Sequence, residues 1–126
     1  MAKLSDHEGA KHLVTAILQT VADHDLTARG LGTDHLEHEL GAHGGLTKRL
    51  VSLLVGEGYL RSTPITNWRA RDDHVDIEIT LLGLWALEQA PPLPRSWDAR
   101  TLLHDAASIG TLADLALQFF RAATGR

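Results

Sequence analysis

Apolar side chains recur at three- and four-residue intervals from early in the chain. Ala10, Leu13, Val14, Ile17, Leu18 and Val21 form one stripe, the signature of an amphipathic helix. They predict a helix over about Asp6 to His24, with Ser5 as cap and Glu8 completing a capping box. The segment Asp25–Gly32 holds two glycines and reads as a loop. Thr33 or Asp34 caps a short second helix that turns Leu36 and Leu40 inward and ends at Gly41. After the tight Gly44-Gly45 connection, a third helix over about Leu46–Glu57 gathers Leu46, Leu50, Leu53 and Leu54 on one face. Lys48 and Ser52 point away from that face, Arg49 flanks them, and Thr47 lies nearer the core.

Beyond Gly58 the period changes. Tyr59-Leu60-Arg61 reads as a short strand. Val75, Ile77 and Ile79 alternate with Asp76, Glu78 and Thr80, the pattern of a half-exposed strand. The polar stretch Pro64–His74 between them makes a hairpin with a long tip. Thr80 caps a fourth helix running to about Gln89, with Leu81, Leu84, Trp85 and Leu87 available for packing and Trp85 expected in the core. Ala90-Pro91-Pro92-Leu93-Pro94 is a stiff extended linker. Two more helices are expected, about Trp97–Ala107 and about Leu112–Ala123, with Trp97 anchoring them. The fold class is therefore mainly α with a small β-hairpin. Residues 1–90 form the main domain, and residues 91–126 carry the linker and C-terminal helices as part of the same compact unit.

The order of helix, helix, helix, strand pair and helix is that of a winged helix-turn-helix. The string Leu50-Val51-x-x-Leu54-x-x-x-Gly58-Tyr59-Leu60 resembles the end of a winged-helix recognition helix entering its wing. Ile77-x-Ile79-Thr80-x-x-Gly83-x-x-x-Leu87-Glu88 resembles the second wing strand and following helix of PadR-like bacterial regulators. It is also similar to small phage-associated winged-helix proteins of the YjcQ type. The resemblance covers roughly residues 10–90. It implies either a DNA-binding transcriptional regulator acting by operator occupancy, or a protein-binding adaptor of phage or mobile-element type. Members usually carry more basic residues on the recognition helix than Lys48 and Arg49.

Composition narrows the rest. The chain has 126 residues, 44% hydrophobic and 22% charged, an ordinary globular balance at one-domain size. It has no cysteine, which removes disulfides, thiolate metal sites and cysteine nucleophiles. No run approaches the roughly 18 apolar residues of a membrane span, and the N-terminus lacks a secretory apolar run. The expected compartment is the cytoplasm.

A net charge of −4 hides a polarity along the chain. Residues 1–43 carry Lys3, Lys11 and Arg29 against seven acids. Residues 44–71 carry Lys48, Arg49, Arg61, Arg69 and Arg71 against Glu57 alone, and residues 72–126 carry four bases against eight acids. For a phosphate-binding face the local sign matters more than the total. The DNA-binding candidates are accordingly Lys48, Arg49 and Ser52 toward the groove, Arg61, Arg69 and Arg71 toward phosphates, and Trp68 against sugar. Operator symmetry further implies a homodimer, with the apolar tail (Leu102, Leu103, Ala106, Ile109, Leu112, Leu115, Leu117, Phe119, Phe120) and the first helix as its contact. The alternative is that the tail folds back over its own domain.

Eight histidines raise a metal site. His35, His38, Glu39 and His43 cluster on or near the second helix at chelating spacing, with His7 or His12 as further donors. Solvent-exposed histidines on a polar face account for the same pattern, and no cofactor is called for. Enzyme signatures such as GxGxxG, a P-loop or GxSxG are missing. Asp72, Asp73, Asp76 and Glu78 read as solvating acids at the edge of the basic segment, so the expectation is a binding module and not an enzyme.

Overall fold

The computed structural model describes residues 4–24, 31–40, 45–64, 74–95, 97 and 109–125. Among them run α1 (Leu4–Asp23), α2 (Thr33–Leu40), α3 (Leu46–Gly56), β1 (Leu60–Pro64), β2 (His74–Ile79), α4 (Leu81–Gln89) and α5 (Ile109–Ala123). The chain is mainly helical with a small antiparallel hairpin, as the periodicity predicts. No helix among the described residues is long and apolar enough to cross a membrane. The expected hairpin tip, with Trp68, Arg69 and Arg71, and most of the expected helix at 97–107 lie outside the described residues.

The stripe on α1 is the spine of the core. Leu13, Val14, Ile17, Leu18 and Val21 are buried, together with Leu36 of α2 and Leu46, Leu50, Val51 and Leu54 of α3. Each such aliphatic side chain contributes about 1.5–3 kcal/mol of burial energy before the entropy of ordering it is set against that. The start of α1 differs from expectation: the helix begins at Leu4, so Ser5 lies inside it and not at its cap.

Helix α3 ends in a Schellman turn. Gly58 sits at φ 86, its N–H donates to the Val55 carbonyl at 3.1 Å, and the Tyr59 N–H donates to the Leu54 carbonyl at 2.9 Å. A left-handed residue after the last turn satisfies carbonyls the helix leaves open, and glycine adopts it without a Cβ clash. The turn delivers fully buried Tyr59 and then β1 into the core.

The hairpin departs from simple alternation. Arg61 pairs with Glu78 and Thr63 with Val75, so Ser62 on β1 faces both Asp76 and Ile77 on β2. That is a β-bulge, and Asp76 takes the left-handed φ of 53 it requires. Ile77 alone of the three apolar β2 residues is fully buried; Val75 and Ile79 are half-buried. The other edge of β2 is not open: the Ile77 N–H donates to the Leu31 carbonyl at 3.0 Å. Thr33 continues this edge, its hydroxyl accepting from the His74 N–H at 2.9 Å and donating to the His74 carbonyl at 3.2 Å. The Thr33 side chain thus ties α2 to the hairpin; the α2 turn is closed by the Leu36 N–H on the Gly32 carbonyl.

Helix α4 starts as expected, with the Thr80 hydroxyl accepting from the Gly83 N–H at 3.0 Å. Its orientation corrects the expected packing. Gly83 and Ala86 face the core, whereas Leu81, Leu84 and Trp85 are exposed, Trp85 to 42%. Small residues let the helix lie directly on the end of the hairpin, which rolls its bulky residues outward. The linker Pro91–Pro94 is exposed, and beyond it Trp97 packs on the core with its ring edge-on to His12 at 6.0 Å.

Helix α5 folds back on α1 and α3. Leu112, Ala113, Ala116, Leu117 and Phe120 are buried, and Phe120 meets Tyr59 edge-to-face at 6.0 Å. Arg121 pairs with Glu57 at the end of α3. Of the two roles expected for the tail, self-packing accounts for these side chains. Leu115 and Phe119 on the same helix are half-buried, and Leu102, Leu103, Ala106 and the Ile109 side chain lie outside the described residues.

Candidate nucleic-acid interface

On α3, burial follows the expected inner face in part and is rotated from it: Val51 is buried and Leu53 only half-buried, and Lys48 and Ser52, expected to point directly away, are less open than Arg49 beside them. Leu46, Thr47, Leu50, Val51 and Leu54 are buried, Arg49 is exposed, and Lys48 and Ser52 are half-buried at the rim. Lys48 and Ser52 are one turn apart and share a face. The Lys48 ammonium lies 3.6 Å from the Asp34 carboxylate at the start of α2. The Asp34 side chain is 83% exposed, so this pair tethers the two helices weakly and is screened by salt.

At the rim, α3 meets the hairpin through one imidazole. Ser52 Oγ lies 3.1 Å from His74 Nε2, and Ser62 Oγ lies 2.6 Å from His74 Nδ1. The same residue is held through its backbone by Thr33 of α2. Four segments therefore converge on His74: α2, α3, β1 and β2. Sequence reading singled out Ser52 but missed Ser62 and His74. The signal was available: Ser62 is two residues from buried Leu60 and so shares its inward face, where a polar side chain requires a partner.

Arg61 does not join this surface. Alternation turns it away from Ser62, and its guanidinium holds the Glu78 carboxylate through Nε at 2.6 Å and Nη2 at 2.5 Å. Both nitrogens meet the same oxygen, Glu78 Oε2, and the pair borders a cleft of about 260 Å³ lined by Val21, Ala22, His24, Ile79 and Leu84, and a second hollow with Ser62, Thr63 and Asp76. Of the sequence candidates, Lys48, Arg49 and Ser52 come together, Arg61 stands on the other face of the hairpin, and Trp68, Arg69 and Arg71 fall outside the described residues.

Of the expected histidine cluster, His38 is exposed on α2. His35 contacts Glu39 at 3.2 Å, both well exposed, and the His24 ring stands 6.4 Å from it. His12 is turned to Trp97, and His43 and the His7 side chain lie outside what is described. Among the described residues no three His, Cys, Asp or Glu side chains are grouped to hold a metal ion. Compared with known proteins, the chain matches no family model, no curated protein and no solved structure.

Proposed function

We propose that the chain is a cytoplasmic winged-helix protein that binds double-stranded DNA, with α3 as recognition helix and the β1–β2 hairpin as wing, and that it regulates transcription by occupying an operator. One observation carries the reading: the side of α3 that bears Lys48, Arg49 and Ser52 is joined to the hairpin strands through His74, which bridges Ser52 and Ser62. The order α1, α2, α3, hairpin, together with Leu31 against the outer edge of β2, is consistent with that architecture. The basic stretch at 44–71 supplies the sign of charge such a surface needs.

The second reading, a winged-helix adaptor that binds protein, is favoured by a different observation. Leu81, Leu84 and Trp85 stand exposed together on α4, and exposed aromatic and aliphatic clusters mark contact surfaces. The neutralised cations, Lys48 with Asp34 and Arg61 with Glu78, also fit it.

Fluorescence anisotropy of a labelled duplex at low salt discriminates the two. The regulator binds, with affinity falling as salt rises and with a shallow slope because few phosphates are neutralised. Absence of binding at low salt makes the adaptor the surviving reading.

A further inference from the structure

The bridge at His74 has a chemistry that a structural tie does not need. A neutral imidazole carries one N–H and one bare nitrogen, so one of its two serine partners must spend its hydroxyl proton on the ring. A protonated imidazole donates from both nitrogens. Both serines then accept, and the hydroxyl proton formerly spent on the ring turns outward. Protonation thus adds a positive charge and releases an O–H donor at the same rim, without breaking either contact. Ser52, Ser62 and His74 are all half-buried, hence reachable from solvent.

We infer that Ser52, His74 and Ser62 form a proton-linked phosphate site at the junction of α3 and the hairpin, filled by a backbone phosphate of bound duplex. This rests on the nucleic-acid reading above. The charged groups around it are Lys48 and Arg49 on α3, Asp34 on α2 and Asp76 on β2, while Arg61 on β1 is turned to the other face of the hairpin and held by Glu78. Lys48 and Arg49 precede Ser52 by four and three residues and reinforce a site for an anion. Because a phosphate and a proton favour each other here, each tightens the binding of the other by the same factor.

The test is duplex affinity measured between about pH 5.5 and pH 8 at constant ionic strength, for the wild-type chain and for His74→Gln. The glutamine keeps a donor and an acceptor but cannot be protonated. The wild type should tighten by about tenfold toward acid, as one added phosphate contact would give. Other histidines contribute to that slope, so the readout is the difference between the two proteins, and His74→Gln should lose most of it. Equal slopes in both, with binding intact, overturn the proton-linked site and leave the nucleic-acid reading standing. No duplex binding at any pH overturns both.

Should His74→Gln fail to fold, the wild-type His74 ring resonances are titrated by NMR with and without duplex. A displacement toward alkaline pH on adding duplex supports the site, and no displacement overturns it. Inorganic phosphate in place of duplex separates the two sources of the anion. A displacement with inorganic phosphate but not with duplex assigns the site to a free anion and overturns the duplex assignment.

Discussion

Gly83 of α4 rests its bare Cα against the carbonyl oxygen of Tyr59: a Cβ built there would overlap that oxygen and press Ile79 Cγ1 at 2.7 Å. The obstacle is backbone, held by the Thr80 N–H on the same carbonyl at 3.1 Å, so it cannot swing aside. In an open helix Gly→Ala gains up to about 1 kcal/mol of propensity. Here the overlap dominates, and Gly83→Ala should destabilise the chain by about 1–3 kcal/mol. Urea unfolding of the two proteins checks this; a variant as stable as wild type would mean that α4 does not lie this close to the hairpin.

The tail behaves as core. Phe120 is 1% exposed and lies on Tyr59, so Phe120→Ala should cost about 3–5 kcal/mol. Trp85, the larger side chain, is 42% exposed, and Trp85→Ala should cost only about 1 kcal/mol. Ala116 is fully buried in α5, which packs on α1 and α3. An Ala116→Asp change places an unpaired charge there and should unfold the chain. A detachable dimerisation tail would instead leave a folded monomer, which circular dichroism with light scattering would reveal.

What the sequence made legible follows a physical divide. The α1 stripe, most of the buried face of α3, the Thr80 cap and the glycine after α3 depend on local spacing, and periodicity exposes them. The roll of α4 does not. Leu81, Leu84 and Trp85 have core chemistry, but the close approach of Gly83 to Tyr59 sets which side faces inward, and that is a tertiary distance. The bulge at Asp76 is hidden for a similar reason, since an extra residue in one strand is defined only against its partner. At the site, Lys48, Arg49 and Ser52 share a face by helical spacing alone. Their link to the hairpin needed the pairing register that brings His74 beside Ser62.

The bulge gives a graded test. Asp76 holds φ 53, where a β-branched residue is strongly disfavoured and glycine is at ease. Asp76→Val should cost about 1–2 kcal/mol, while Asp76→Gly should be close to neutral. Thermal melts of both variants decide it. A valine variant as stable as the glycine one would indicate regular pairing in place of the bulge.

Two arginines that composition treats alike should separate in function. Arg49 is exposed on α3, on the same rim as Ser52, with no ion-pair partner among the described residues. Arg61 is turned to the opposite face of the hairpin and spends its guanidinium on Glu78. Neutralising Arg49 therefore removes a cation from the proposed groove face, and Arg49→Ala should weaken duplex binding by about tenfold. Arg61→Ala frees Glu78 on the far side and should leave affinity within about twofold, since exposed ion pairs contribute little and are screened at that distance. Lys48→Ala should fall between them, because Asp34 already offsets part of its charge. The measurement is duplex anisotropy at one fixed low salt for the three variants, each checked for an unchanged melt. Were Arg61→Ala to lose as much affinity as Arg49→Ala, the bound nucleic acid would have to lie against both faces of the hairpin, and α3 could not be the sole element entering the groove.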